Sequence, residues 1–73
     1  MKQNFPSIEI SSRDLLSIVV GAQNFKRLMR KEPVVIWKYN KELVSRLLDE
    51  LCYWYIIHDD PHTPHMVIVQ IIK

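Results

Sequence analysis

Seventy-three residues allow a single domain, 1–73, and leave no length for another. Apolar residues make up 48% of the chain against 25% charged, with one Gly and a formal net charge of +2, a balance that excludes disorder and argues against a dedicated polybasic binder. A lone Cys52 excludes an internal disulfide, and no run reaches the roughly 20 apolar residues of a bilayer span, so a reducing, cytoplasmic setting away from membranes is expected.

Residues 1–6 lack the apolar run of a secretory signal. Residues 7–11 (Ser-Ile-Glu-Ile-Ser) alternate polar and apolar and read as a short strand. Ser11 followed by Asp14 has the form of a helix N-cap with a carboxylate in the first turn. Leu15, Ile18, Val19, Ala22, Phe25 and Met29 then recur at helical spacing up to Pro33, so one helix is expected over 12–31, with Gly21 as its weak point.

Residues 34–39 (Val-Val-Ile-Trp-Lys-Tyr) carry the clearest β-type composition. Asn40 is placed to cap a second helix, whose apolar side holds Leu43, Val44, Leu47, Leu48, Leu51, Trp54 and Tyr55. That pattern fails at Ile56 and Ile57. A rival reading makes 52–58 a strand, because Tyr53 to Ile57 all favour β; the lack of a breaker before Cys52 favours the helix. Residues 58–65 are a loop by composition, and 66–72 (Met-Val-Ile-Val-Gln-Ile-Ile) form the last strand. The expected fold is α/β, with α+β as the alternative: a three-stranded sheet with two helices on one face, in the order β-α-β-α-β.

Such an architecture leaves one sheet face uncovered. With Lys38, Gln70 and Glu9 marking that face, alternation assigns Val34, Ile36, Met66, Ile68 and Ile72 to it as well. Five large apolar side chains form a candidate contact surface for a second copy of the chain or for another protein. A second candidate is the outer side of the first helix, where Arg13, Arg27, Arg30 and Lys31 surround Leu16 and Val20, a basic rim about an apolar centre. The expected partner-binding residues are therefore Arg13, Leu16, Val20, Arg27, Arg30, Lys31, Ile36, Lys38 and Ile68.

The chemistry-bearing residues point away from catalysis. His58, His62 and His65 lie near Asp59 and Asp60 but lack the paired ligand spacing of a zinc site, so no metal and no cofactor is expected. Cys52 sits in an apolar run, where a buried thiol behaves as a small hydrophobe. There is no Gly-rich phosphate loop and no nucleophile elbow, and the reading is of a non-enzyme. What remains is a protein–protein interaction module, a small regulator or inhibitor docking on a larger cytoplasmic machine. General experience of cofactor-free one-domain chains, and nothing in these residues, adds phage or mobile-element origin and host transcription machinery as the target. The alternative is a nucleic-acid-binding regulator: two helices about Gly21 would resemble a helix-turn-helix, with Gln23, Asn24, Lys26, Arg27 and Arg30 on the second. Trp37 and Tyr39 beside Lys38 and Lys41 could likewise stack on bases.

Overall fold

The computed structural model describes residues 10–73. Two short helices, α1 (Ser12–Val20) and α2 (Ala22–Met29), precede strand β1 (Val34–Trp37). A 3-10 turn (Lys38–Asn40) leads into α3 (Lys41–Glu50), followed by β2 (Tyr55–Asp59) and β3 (Met66–Ile71). The fold is α+β in the order α-α-β-α-β-β and not β-α-β-α-β. Of the expected strand at 7–11, residues 7–9 lie outside the described residues; Ile10 and Ser11 are not in a strand.

Ser11 caps α1 as its chemistry predicts, its Oγ accepting from the Asp14 N–H at 3.1 Å. The single helix expected over 12–31 is two helices. Gly21 takes φ +92° and ψ 149°, a region essentially reserved for glycine, and ends α1 before α2 begins. Asn24 bridges the break, its Nδ2 donating to the freed Val20 carbonyl at 3.0 Å.

Helices α2 and α3 stop by the same device. After α2 the Lys31 N–H donates to the Leu28 carbonyl at 2.9 Å and the Glu32 N–H to the Arg27 carbonyl at 3.0 Å. After α3 the Cys52 N–H donates to the Asp49 carbonyl and the Tyr53 N–H to the Leu48 carbonyl, both at 3.0 Å. These paired bonds are the Schellman motif, which turns the chain through one left-handed residue. Lys31 (φ 64°) and Cys52 (φ 62°) occupy that position, where glycine is usual. The helix thus ends before Trp54 and Tyr55, and the strand reading of the 52–58 segment is the correct one from Tyr55 onward. Asn40 sits at the N-cap position of α3 but makes no capping hydrogen bond through its side chain.

Strand order is β1-β3-β2, with both pairs antiparallel. β1 and β2 therefore run parallel, joined through α3, while β3 is inserted between them, a split β-α-β unit. The register sets Val34 opposite Val69, Ile36 opposite Val67 and Tyr55 opposite Ile71. The core is aliphatic: Leu16, Val20, Leu28, Val34, Ile36, Val44, Leu47, Leu48, Val67, Val69 and Ile71 are all buried. Helices supply the first, and β1 and β3 the inward residues of the sheet, so all three helices cover one face. Tyr55 ties β2 to α3, its hydroxyl 2.9 Å from Asp49 Oδ1 and 3.3 Å from the Ser45 carbonyl.

Alternation in β3 is as expected, with Val67, Val69 and Ile71 inward. In β1 it is reversed: Val34 and Ile36 are buried, whereas Val35 and Trp37 point away from the helices. Lys38 is the reason. It already belongs to the 3-10 turn, so its charge says nothing about which way the preceding strand faces.

Candidate interaction surfaces

The outer side of the α1–α2 layer holds an open cleft of about 490 Å³ lined by Arg13, Phe25, Lys26, Met29 and Arg30. Helical spacing within α2 brings Phe25 and Met29 onto one strip, with Lys26 and Arg30 beside them. The Arg13 guanidinium reaches over from α1 to lie 5.1 Å from the centre of the Phe25 ring, a cation–π contact that holds the cleft wall. Tyr53 supports its floor, with the hydroxyl 3.5 Å from Met29 Sδ. Three cations thus rim an apolar base, and among the described residues no acidic side chain lines it.

Beside this cleft Arg27 and Arg30 share one carboxylate: Arg27 Nε stands 3.3 Å and Arg30 Nε 3.6 Å from Glu32 oxygens. Their pairing is exposed and adds little to stability. Its effect is to partly neutralise the edge of the basic patch, so positive charge is concentrated at Arg13 and Lys26.

The second surface is the side of the sheet away from the helices. Alternation places on it Val35 and Trp37 from β1, Met66, Ile68 and Gln70 from β3, and Ile56 and His58 from β2. The ladder runs one residue beyond β2 and β3, the Ile72 N–H donating to the Trp54 carbonyl at 2.7 Å and the Trp54 N–H to the Lys73 carbonyl at 2.9 Å. Trp54 and Ile72 thereby extend the face. Trp37 is 51% exposed and Trp54 is 69% exposed. The Trp37 ring stacks on Tyr39, with centroids 5.8 Å apart. None of these face residues is Asp, Glu, Lys or Arg. Gln70 spends its amide within the chain, Nε2 donating to the Lys31 carbonyl at 2.9 Å.

The expected partner-binding residues divide between surface and core. Arg13, Arg27, Arg30 and Lys31 are exposed on the helical layer, and Ile68 lies half-buried in the bare sheet face. Leu16, Val20 and Ile36 are core residues and cannot meet a partner. For Leu16 and Val20 the reason is rotation of α1, whose buried side holds them while Ile18, assigned inward from spacing, is 67% exposed. Lys38 reaches Asp59 at 3.7 Å at one end of the sheet. The residues that complete the two surfaces, Phe25, Lys26 and Met29 on one and Val35, Trp37, Trp54 and Ile56 on the other, were hidden behind three assumptions: one uninterrupted first helix, Lys38 as a marker of the outer face, and a second helix continuing through Trp54 and Tyr55.

The histidines are spread out. His58 belongs to the bare face, while His62 and His65 sit in the β2–β3 loop, where the His62 N–H donates to Asp60 Oδ1 at 2.9 Å. Among the described residues no three His, Cys, Asp or Glu side chains are grouped to hold a metal ion. Cys52 is exposed and not the buried thiol its apolar neighbours suggest, because the left-handed turn swings it outward. No helix among the described residues is long and apolar enough to cross a membrane. No protein-family model, no curated protein and no solved structure matches the chain.

Proposed function

We propose that this chain is a non-enzymatic, cytoplasmic interaction module, a regulator or inhibitor that docks on a larger protein through the Arg13–Phe25–Arg30 cleft. One observation carries the reading: three cations surround an apolar base, and among the described residues the one carboxylate paired with any of them is Glu32, beside the cleft, which offsets Arg30 and leaves Arg13 and Lys26. The complementary ligand is an acidic segment bearing one or two large apolar side chains. Positive charge would speed its encounter, and burial over Phe25 and Met29 would hold it in place.

The test is a titration of the labelled chain, followed by amide chemical shifts, with an acidic peptide containing Leu and Phe. Shifts should concentrate at residues 13 and 25–30. Reversing both charges, Arg13→Glu with Arg30→Glu, should weaken the complex by about a hundredfold, since attraction becomes repulsion at each site. An unchanged affinity would remove the support for this docking site.

A second reading, nucleic-acid binding through the basic side of residues 13–31, draws on the separation of α1 from α2 at Gly21. Against it, a helix-turn-helix turn spans about three or four residues, whereas here Gly21 alone separates the helices. α2 also spends Leu28 on the core and Asn24 on the Val20 carbonyl. Duplex DNA added to the same titration discriminates. Affinity falling steeply with salt, with no response to the peptide, would favour this second reading.

A further inference from the structure

We propose that the bare face of the sheet is the seat of a second copy of this chain, giving a face-to-face dimer with both helical layers outward. It uses the side opposite the basic cleft and stands or falls independently of the docking reading.

Charge selects the occupant first. A twofold interface must be complementary to itself, and a face bearing a net charge would repel its own copy. This one carries Trp, Ile, Val and Met without Asp, Glu, Lys or Arg, and its two polar side chains both have partners within the chain: the Gln70 amide donates to the Lys31 carbonyl, and His58, opposite Ile68, has its Nδ1 3.2 Å from the Asp59 carbonyl. An acidic or basic partner would find little counter-charge here. At the end of the sheet Lys38 pairs with Asp59 at 3.7 Å, while Asp60, whose own N–H donates to the Met66 carbonyl, accepts from the His62 N–H through its carboxylate at the rim.

Area gives the same answer. Aromatic side chains bring roughly 150–250 Å² each, and Trp37 and Trp54 leave half or more of theirs in solvent. With Val35, Ile56 and Ile72, each also about half exposed, the face offers roughly 500–600 Å² of apolar surface, at the upper end for a monomer's largest patch. Two such faces together would remove about 1,000–1,200 Å² from water, the threshold of a specific interface. Shape agrees as well. Trp37 pairs with Met66 at one end of β3, and Trp54 lies across from Ile72 at the other end and on the opposite side of the strand. The indoles thus stand at diagonal corners of the face with smaller aliphatic groups between them, a relief that can interdigitate with its own copy across the usual sheet spacing of about 10 Å.

Sedimentation equilibrium of the full chain from micromolar to millimolar concentration tests this. The expected species at high concentration has twice the 8.7 kDa mass of the chain. Ile56→Glu buries an unpaired carboxylate at the contact and should raise the dimer dissociation constant about 100-fold or more. Trp54→Asp, beyond the end of β2, provides the same test should the strand substitution prevent folding as judged by circular dichroism. Arg30→Glu, on the helical layer, should leave the dimer unchanged while weakening the peptide complex, so each proposal can fail alone. A monomer at every concentration overturns the dimer. So does a dimer whose dissociation constant is unmoved by the sheet-face substitutions.

Discussion

Lys31 and Cys52 each hold a backbone conformation that L-residues adopt at a cost of about 1–2 kcal/mol. Glycine would remove that strain and return part of the gain as greater freedom of the unfolded chain, about 0.5–1 kcal/mol. Lys31→Gly and Cys52→Gly should therefore each stabilise the fold by a few tenths to about 1 kcal/mol, read as a higher urea midpoint at unchanged slope. Gly21 is the converse. Open space surrounds its α-carbon, so Gly21→Ala meets no clash, yet φ +92° makes it destabilising by about 1–3 kcal/mol through backbone strain alone. Tyr55 adds a dependence on pH. The Ser45 side-chain hydroxyl pulls its pKa down, but burial and the Asp49 carboxylate outweigh that pull and the phenol ionises above the ordinary tyrosine value. A group whose pKa is raised by folding stabilises fully below its unfolded value and loses that contribution as pH rises through the folded value. The stability difference between the native chain and Tyr55→Phe should accordingly be constant at neutral pH and shrink above about pH 10, measured by urea melts across that range.

At the scale of elements, the helical pattern of α1, the amphipathic centre of α3 and the alternation of β3 were legible because each rests on side-chain periodicity. Ser11 and Asp14 announced the start of α1 through local chemistry, and the structure keeps that cap. Three features were not legible, for physical reasons. Gly21 breaks the helix by a dihedral change that leaves the apolar spacing on either side nearly in phase. α3 ends in a left-handed residue that happens to be a cysteine, so no Gly or Pro marks the stop, and only pairing with β3 draws Tyr55–Asp59 into a strand. β1 is apolar on both sides, and its orientation is decided by register against Val67 and Val69, contacts more than thirty residues away in the chain. Leu16 is the sharpest case of a residue misplaced by that limit. As a core side chain with no exposure, Leu16→Ala should destabilise by about 2–5 kcal/mol, observed as a lowered unfolding midpoint, and any loss of partner binding should track that unfolding.

For the molecule as a whole, one layer of helices over one sheet gives two chemically distinct sides. The core buries aliphatic residues from both layers, yet the outer side of the sheet keeps two indoles and several branched side chains in contact with water. Of the sequence expectations, the excess of apolar surface beyond what the elements can hide has the most direct bearing on function. A protein with one basic cleft per chain and a self-complementary back would present two clefts facing opposite ways, and a target bearing two acidic segments would gain from both at once.

Placing β3 in the middle of the sheet has a bearing on biosynthesis. β1 and β2 touch only through a strand that is translated after both of them. On a ribosome, neither can find its hydrogen-bonding neighbour until Met66–Ile71 has cleared the exit tunnel, so both strands stay unpaired until then. Sheet formation then waits on β3, and a premature stop codon ahead of Met66 should yield a product with no sheet, exposed to proteases and dependent on holding chaperones.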